Sequence, residues 1–376
     1  MTPDVARRGH SANAIEVRDL VKRYRGATRN AVDGVSFDVP YGEFFCLLGP
    51  NGAGKTTTVS ILTTTLTPTG GRALIAGSDL ATQQSLVRRD IGIVFQQPSL
   101  DLNLTAEENI RLHAVLYGLY PWRPLHRMMP APYRRQVSDL AGVLGVTDIL
   151  GSRARTLSGG MRRRLEIVRA LMHRPRVLFL DEPTAGLDPD SRRGLWSYLQ
   201  QVRRQHGTTI FLTTHYLQEA ETAGAVCILA GGRVIERGRP SEVKARQVRP
   251  ELVLDATDRD GLRRELLRLG IPVRDAQPDG EAPIGVPAAG DGHPAGVPAA
   301  GDGYAAGVPA TSDGLTAGVP ATGEHHPAGT APVRIALDGR SAQSIVRSLE
   351  SELTQLHIVQ PTLEDAYLRL TGSVGA

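Results

Sequence analysis

Only two cysteines occur in 376 residues, Cys46 and Cys227, each inside an apolar run. That excludes a disulfide-stapled secreted domain and leaves two reduced core thiols. No apolar stretch reaches the ~18 to 20 residues that span a bilayer. The segment from Met1 to Asn13 lacks the apolar centre of a signal peptide, so the chain is expected to be soluble. Aromatics make up 5%, and Lys+Arg 43 against Asp+Glu 39 leaves a net charge of only +4. Such a balance does not make a basic face, and no nucleic-acid partner is expected. A hydrophobic fraction of 41% and a charged fraction of 22% are ordinary for a globular protein, and the length fits a large domain plus a smaller one.

What the chain does have is glycine, 41 residues. One cluster runs Gly49-Pro50-Asn51-Gly52-Ala53-Gly54-Lys55-Thr56-Thr57, preceded by the apolar Phe44 to Leu48 and followed by a helix-compatible stretch to Leu62. Strand, glycine loop and helix in that order place successive backbone N–H groups and a helix N-terminus around one point, where a polyphosphate fits. Lys55 is expected to reach the β- and γ-phosphates, and the Thr56 hydroxyl to ligate Mg²⁺.

Upstream, a polar leader over 1–13 precedes short strands at Ala14 to Leu20 and Ala31 to Val39, the second with Asp33-Gly34 turn chemistry. Tyr24 lies between them and either stacks on an adenine face or is a half-exposed strand tyrosine. Downstream, strands are expected at Arg72 to Ala76 and Ile91 to Phe95, and Gln96 at the second strand's end can reach a bound metal or a water. Thr105 caps a helix to Leu119 with Glu107 and Glu108 in its first turn, and prolines 121, 124, 130 and 132 precede a second helix near Arg135 to Leu144. Leu157-Ser158-Gly159-Gly160-Met161 opens a third helix, presenting a second anion-binding terminus. Its Arg162-Arg163-Arg164 cluster has no interleaved aromatics and is expected to form a solvated basic face.

Val177 to Leu180 reads as a buried parallel strand ending in Asp181 and Glu182, at the strand edge where open α/β sheets bind ligands. Asp181 would hold Mg²⁺ through its water shell, and Glu182 would serve as general base. Adjacent strand residues point to opposite faces, so a change of direction is expected at Pro183. Gly186 to Pro189 turns into a helix from Ser191 to His206, and the strand from Thr208 to Thr214 ends at His215, beside Asp181. A hairpin at Ala225 to Glu236 and a helix from Ser241 to Gln247 follow.

With these pieces in this order, Ala14 to Gln247 resembles the nucleotide-binding subunit of ABC transporters. The resemblance implies an α/β P-loop NTPase cassette over 14–247, a mixed-sheet core with a helical subdomain at about 99–172. Carried over, Gly49 to Thr56 is similar to Walker A, Gln96 to the Q-loop glutamine and Leu157 to Met161 to the family signature. Asp181 and Glu182 are similar to Walker B with its catalytic glutamate, Asp188 to the D-loop aspartate and His215 to the switch histidine. Tyr24 falls where the family's adenine-stacking aromatic lies. ATP and Mg²⁺ are implied, as is a head-to-tail homodimer in which ATP sits between one subunit's Walker A and the other's Ser158 and Gly160. The family further implies a separate integral-membrane permease, touched by the segment after Gln96 including Leu100 to Asn109, and a peripheral place at the cytoplasmic face of the membrane. Met161 departs from the commoner glutamine.

The runs VFQQPSLD and SGGMRRRL and the ending Pro361 to Tyr367 resemble the daunorubicin-resistance branch of bacterial exporter ATPases, which implies export of a hydrophobic drug or secondary metabolite. Rival classes are a soluble ABC ATPase of translation or repair, disfavoured by the single Walker A, and an importer cassette. Beyond the cassette, 248–276 and 333–376 read as two β-α-β halves before a last helix, a small α+β ferredoxin-like domain. The halves are expected at Glu251 to Leu254, Asp258 to Leu269 and Ile271 to Arg274, then Val333 to Leu337, Ser341 to Leu353 and His357 to Gln360. Between them, 277–332 repeats Gly-Val-Pro-Ala from Gly285, Gly296, Gly307 and Gly318, a composition expected to be disordered.

Overall fold

The computed structural model describes residues 12–275, 332–337 and 340–372. Most of the leader and the eleven-residue repeat lie outside the described residues. The chain divides into two units, one of residues 12–249 with 361–372 and one of 250–360.

The first unit opens with β1 (Asn13–Lys22) and β2 (Val32–Pro40), which alternate buried apolar residues such as Ile15, Val17, Phe37 and Val39 with more exposed ones. The Asp33-Gly34 pair makes a bulge inside β2 rather than a turn. Leu20 pairs with Val35 and Val21 with Asp33, so Gly34 is the extra residue, at φ 70°. Next come β3 (Phe44–Leu48), α1 (Lys55–Leu62), β4 (Gly70–Ile75), β5 (Ser78–Asp79), α2 (Gln84–Asp90) and β6 (Ile91–Val94). Three helices follow: α3 (Ala106–Leu116), α4 (Ala131–Val143) and α5 (Gly159–Leu171). Thr105 and Glu108 close a reciprocal capping box on α3, and Pro132 sits in the first turn of α4, where a missing N–H costs nothing, rather than ahead of it. Then β7 (Val177–Asp181), α6 (Pro189–His206), β8 (Thr209–Thr214), α7 (Leu217–Glu221), β9 (Ala225–Ala230), β10 (Arg233–Gly238) and α8 (Pro240–Gln247) complete the continuous part.

Six strands form one sheet in the order β10-β9-β3-β8-β7-β6, parallel except for β10, and β2-β1-β4-β5 form an antiparallel sheet. Every residue of β3 and β7 is buried because both faces of the large sheet are covered. The two-residue period of β3 divides the core. Phe45 and Leu47 face the cluster that includes the small sheet, while Phe44, Cys46 and Leu48 face the cluster that includes α3 to α5. Four of the six phenylalanines, Phe37, Phe45, Phe179 and Phe211, lie in the first of these clusters, with Phe45 and Phe211 stacked at 5.2 Å and Phe37 and Phe45 at 5.3 Å. Both cysteines are free and buried, and burial pushes the Cys227 thiol up to about 12 and Cys46 up as well.

The second unit holds β11 (Glu251–Ala256), α9 (Arg259–Arg268), β12 (Val273–Asp275), β13 (Val333–Ala336), α10 (Ala342–Arg347) and β14 (Leu353–Val359). Its antiparallel order β12-β13-β11-β14 is the ferredoxin-like one, around Leu252, Leu254, Leu262, Leu266 and Ile335. The helix expected from Ser341 to Leu353 is only six residues long, and strand begins at Leu353. The last helix, α11 (Leu363–Gly372), belongs to the first unit instead of the C-terminal domain. Leu363 and Ala366 enter the cassette core, the Leu363 N–H donates to Glu221, and Arg369 donates to the Gln247 carbonyl at 3.0 Å.

Candidate active site

The glycine loop joins β3 to α1. Gly54 precedes α1 at φ 101°, and a Cβ there would stand 2.4 Å from the Ala31 carbonyl oxygen. At Gly49 it would stand 2.5 Å from the carbonyl oxygen of Leu229. These two positions need glycine for space, and Gly54 also for its backbone angle. The loop closes on itself through Ala53 N–H to the Pro50 carbonyl at 3.2 Å. No side chain caps α1, so its first-turn N–H groups face the loop as an anion-binding terminus. Lys55 is 5% exposed, and its ammonium donates to the carbonyls of Gly49 at 2.8 Å and Pro50 at 3.1 Å. Burial lowers the Lys55 pKa, while Glu182 and Asp181 pull it back up.

A cleft of about 380 Å³ is lined by Asn51, Gly52 and Gly54 to Thr57 of the loop together with Gln96, Glu182 and His215. Glu182 is where these groups meet. Its carboxylate lies 3.7 Å from Lys55 Nζ and 3.3 Å from His215 Nδ1, and accepts from Gln96 Nε2 at 3.3 Å. The chain reverses at Glu182 itself, at φ 44°, and not at Pro183. This left-handed residue turns the carboxylate out of the strand so that Asp181 and Glu182 need not point to opposite faces. Asp181 is 3% exposed and does not line the cleft; its Oδ1 accepts from the Thr213 hydroxyl at 2.5 Å.

The Tyr24 hydroxyl is 3.3 Å from Thr57 Oγ1, at the edge of the phosphate loop. Ser158, Gly159, Gly160 and Asp188 lie outside the cleft. Ser158 Oγ caps α5 by accepting from Met161 N–H, and Asp188 caps α6 by accepting from Ser191 N–H; the Ser191 hydroxyl first, and then its N–H, hold the Asp188 carboxyl below its ordinary value. A Cβ on Gly160 would stand 2.9 Å from Ser191 Oγ, so the two caps are packed together.

The arginine cluster is not a solvated face. Arg163 is 7% exposed and donates to the backbone carbonyls of Phe95, Asp181 and Pro183 and to the carboxylate of Glu166. It therefore pins the ends of β6 and β7, which carry Gln96 and Glu182. A signal was present, since Arg163 stands one helical turn before Ile167 and two before Leu171 on the buried face of α5. Glu219 belongs to no motif of the sequence. Buried at 3% exposure, it accepts from the hydroxyls of Thr184 and Thr214 and so ties the segment after Glu182 to the strand before His215.

A left-handed glycine loop feeding a helix, a buried lysine and strand-end carboxylates on a parallel sheet define a P-loop ATPase. The family profile described as ABC transporter matches residues 32–185. The daunorubicin/doxorubicin resistance ATP-binding protein DrrA of Streptomyces peucetius is 42% identical over 233 residues, 62% of this chain and 67% of that protein. The Nod factor export ATP-binding protein I of Paraburkholderia xenovorans is 37% identical over 68% of this chain and 81% of its own. Among solved structures, the dimeric post-hydrolysis ATP-binding cassette MJ0796 with ADP and Pi is 26% identical at a TM-score of 0.53, covering 60% of this chain and 98% of that one. This chain belongs to the ABC transporter family, as an ATP-binding cassette whose ATP hydrolysis is coupled to transport.

Proposed function

We propose that this chain is the ATP-hydrolysing subunit of an exporter, working as a homodimer with a separate membrane permease at the cytoplasmic face of the membrane. The convergence of Lys55, Gln96 and His215 on Glu182 carries the reading. The glycine loop and the N-terminus of α1 bind the phosphates, Lys55 adds its charge, and Tyr24 stacks on the adenine. Glu182 accepts a proton from the attacking water as its oxygen bonds to the γ-phosphorus and the bond to the ADP oxygen breaks. His215 and Gln96 hold the Glu182 carboxylate and the water in line.

Among the described residues no cluster of three His, Cys, Asp or Glu could hold a metal unaided. The Thr56 hydroxyl, the Gln96 amide oxygen and the Asp181 carboxylate are nonetheless hard oxygen donors of the kind Mg²⁺ takes when substrate phosphates complete its shell. Bound there, Mg²⁺ would neutralise phosphate charge.

Ser158, Gly160 and Asp188 stand together outside the cleft, which fits a site completed by a second copy, and the dimeric cassette MJ0796 supports that assembly. The relatives named for daunorubicin/doxorubicin resistance and Nod factor export support outward transport. No helix among the described residues is long and apolar enough to cross a membrane. A separate permease is supported by exposed apolar residues beside the Q-loop and on α3, Phe95, Leu102, Leu112 and Leu116. The test is gentle membrane extraction of the tagged chain with ATP, followed by mass spectrometry. A small multi-span membrane protein is expected to copurify; ribosomal proteins or DNA, without one, would move the chain to translation or repair.

A further inference from the structure

We propose that Thr213 is a positioning residue whose single hydroxyl sets the relative placement of Asp181 and Glu182. The proposal rests on the ATPase reading above. β7 and β8 run parallel with Asp181 directly beside Thr213. Both residues are buried, Thr213 completely. A buried hydroxyl in a central strand needs partners, and this one has two. It donates its only proton to Asp181 Oδ1 at 2.5 Å and accepts from the Glu182 N–H at 3.0 Å. The same N–H lies 3.2 Å from the Thr213 carbonyl oxygen.

Glu182 occupies the left-handed region at φ 44°, a conformation that is strained for a residue with a Cβ. Thr213 holds that kinked peptide by its N–H, and the kink is what aims the carboxylate at Gln96 and His215. One side chain thus fixes the orientation of the buried Asp181 carboxylate and the backbone from which the base projects. The hydroxyl of Thr214, the next residue, donates to Glu219 instead. Without the Thr213 hydroxyl, Asp181 Oδ1 loses that donor and the Glu182 N–H keeps only the carbonyl. The phosphate loop shares no hydrogen bond with Thr213, so nucleotide affinity is expected to survive.

The experiment uses the full chain as wild type, Thr213→Val, which keeps the shape and loses the hydroxyl, and Thr213→Ser, which keeps the hydroxyl. In Thr213→Val, kcat is expected to fall about 10- to 100-fold, with ATP affinity and KM within about twofold and a melting temperature showing the fold intact. Mn²⁺ binding in the presence of ATP, followed by its paramagnetic signal, is expected to weaken several-fold. Thr213→Ser is expected to restore both. If Thr213→Val does not fold, Thr213→Ala against Thr213→Ser gives the same contrast. The proposal is overturned if the valine variant keeps its kcat, if serine is as slow as valine, or if the whole loss appears in ATP affinity. Wild type and Glu182→Gln are read first in the same assay. An inactive wild type would overturn the ATPase reading, and an active Glu182→Gln its assignment of the base, each taking this proposal with it, whereas a normal Thr213→Val beside a dead Glu182→Gln overturns this proposal alone.

Discussion

The two halves of the cleft are built in different ways. The phosphate side comes from one contiguous stretch, Gly49 to Thr57, and its shape follows from the loop's own backbone and a helix start. The carboxylate side comes from the ends of β6, β7 and β8, so Gln96, Glu182 and His215 meet only because the strands are in register. A contiguous site is specified by local backbone geometry and fails when that geometry is denied. A convergent site is specified by sheet packing, and its side chains are expected to be removable with the loop's backbone intact, although Glu182 also lies 3.7 Å from Lys55.

Glu182→Gln tests that separation most strongly. Loss of a general base typically costs a hundred- to ten-thousandfold, and hydrolysis is expected to fall by about a thousandfold while ATP binding and ATP-dependent dimerisation persist. Phosphate release and size-exclusion chromatography check this. Near-normal turnover would show that Glu182 is not the base. Gly54→Ala is the converse. Its methyl would press on the Ala31 carbonyl from a left-handed backbone, so ATP affinity is expected to drop about a hundredfold by calorimetry, roughly 3 kcal/mol. Retained affinity with slowed hydrolysis would mean that the two sides are coupled after all.

The difference in construction also governs what the sequence disclosed. The loop, the Thr105 capping box and the Ser158 cap are local devices whose residues lie within a few positions of one another, and each is where its motif placed it. The buried role of Arg163 depends on strand ends far away in the chain, and three consecutive arginines advance about 100° each around a helix, so one falls on the inner face. The reversal at Glu182 is a backbone angle held by Thr213 across the sheet, which no local pattern encodes. The last helix looked continuous with the ferredoxin-like repeat, yet its apolar face is completed by the cassette.

That small second unit gives a third, weaker test. None of the cleft residues comes from it. Leu262 is fully buried in its core, and Leu262→Ala is expected to destabilise the unit by about 2 to 3 kcal/mol. Calorimetric melting should show the loss while ATP hydrolysis by the folded chain stays within about twofold. A matching fall in hydrolysis would bring the second unit into the catalytic cycle.

The smallest expected effect concerns the scaffold behind the carboxylate side. His113 on α3 packs 4.3 Å from Tyr117, which stacks at 4.7 Å on His173, and His173 Nε2 lies 2.7 Å from the carbonyl of Ile91 at the start of β6. Burial, with Arg169 and His173 nearby, lowers the His113 pKa to about 4, and burial lowers that of His173 as well. The fold therefore stores His113 neutral, whereas the unfolded chain takes up a proton near pH 6.5. Between those values the unfolded state binds more protons, so the contribution is fully present above about pH 6.5 and is lost as pH falls toward 4. Discounted for partial exposure, the loss at pH 5 is about 1 to 2 kcal/mol, a few degrees in melting temperature for a unit of this size. His113→Phe should flatten the melting temperature between pH 7 and 5 without changing hydrolysis at pH 7.5. If β6 depends on this stack, the wild type should lose hydrolysis before ATP affinity as the pH falls, because Gln96 hangs from β6 and the phosphate loop does not. Parallel loss of both would show that the phosphate and carboxylate sides share one scaffold.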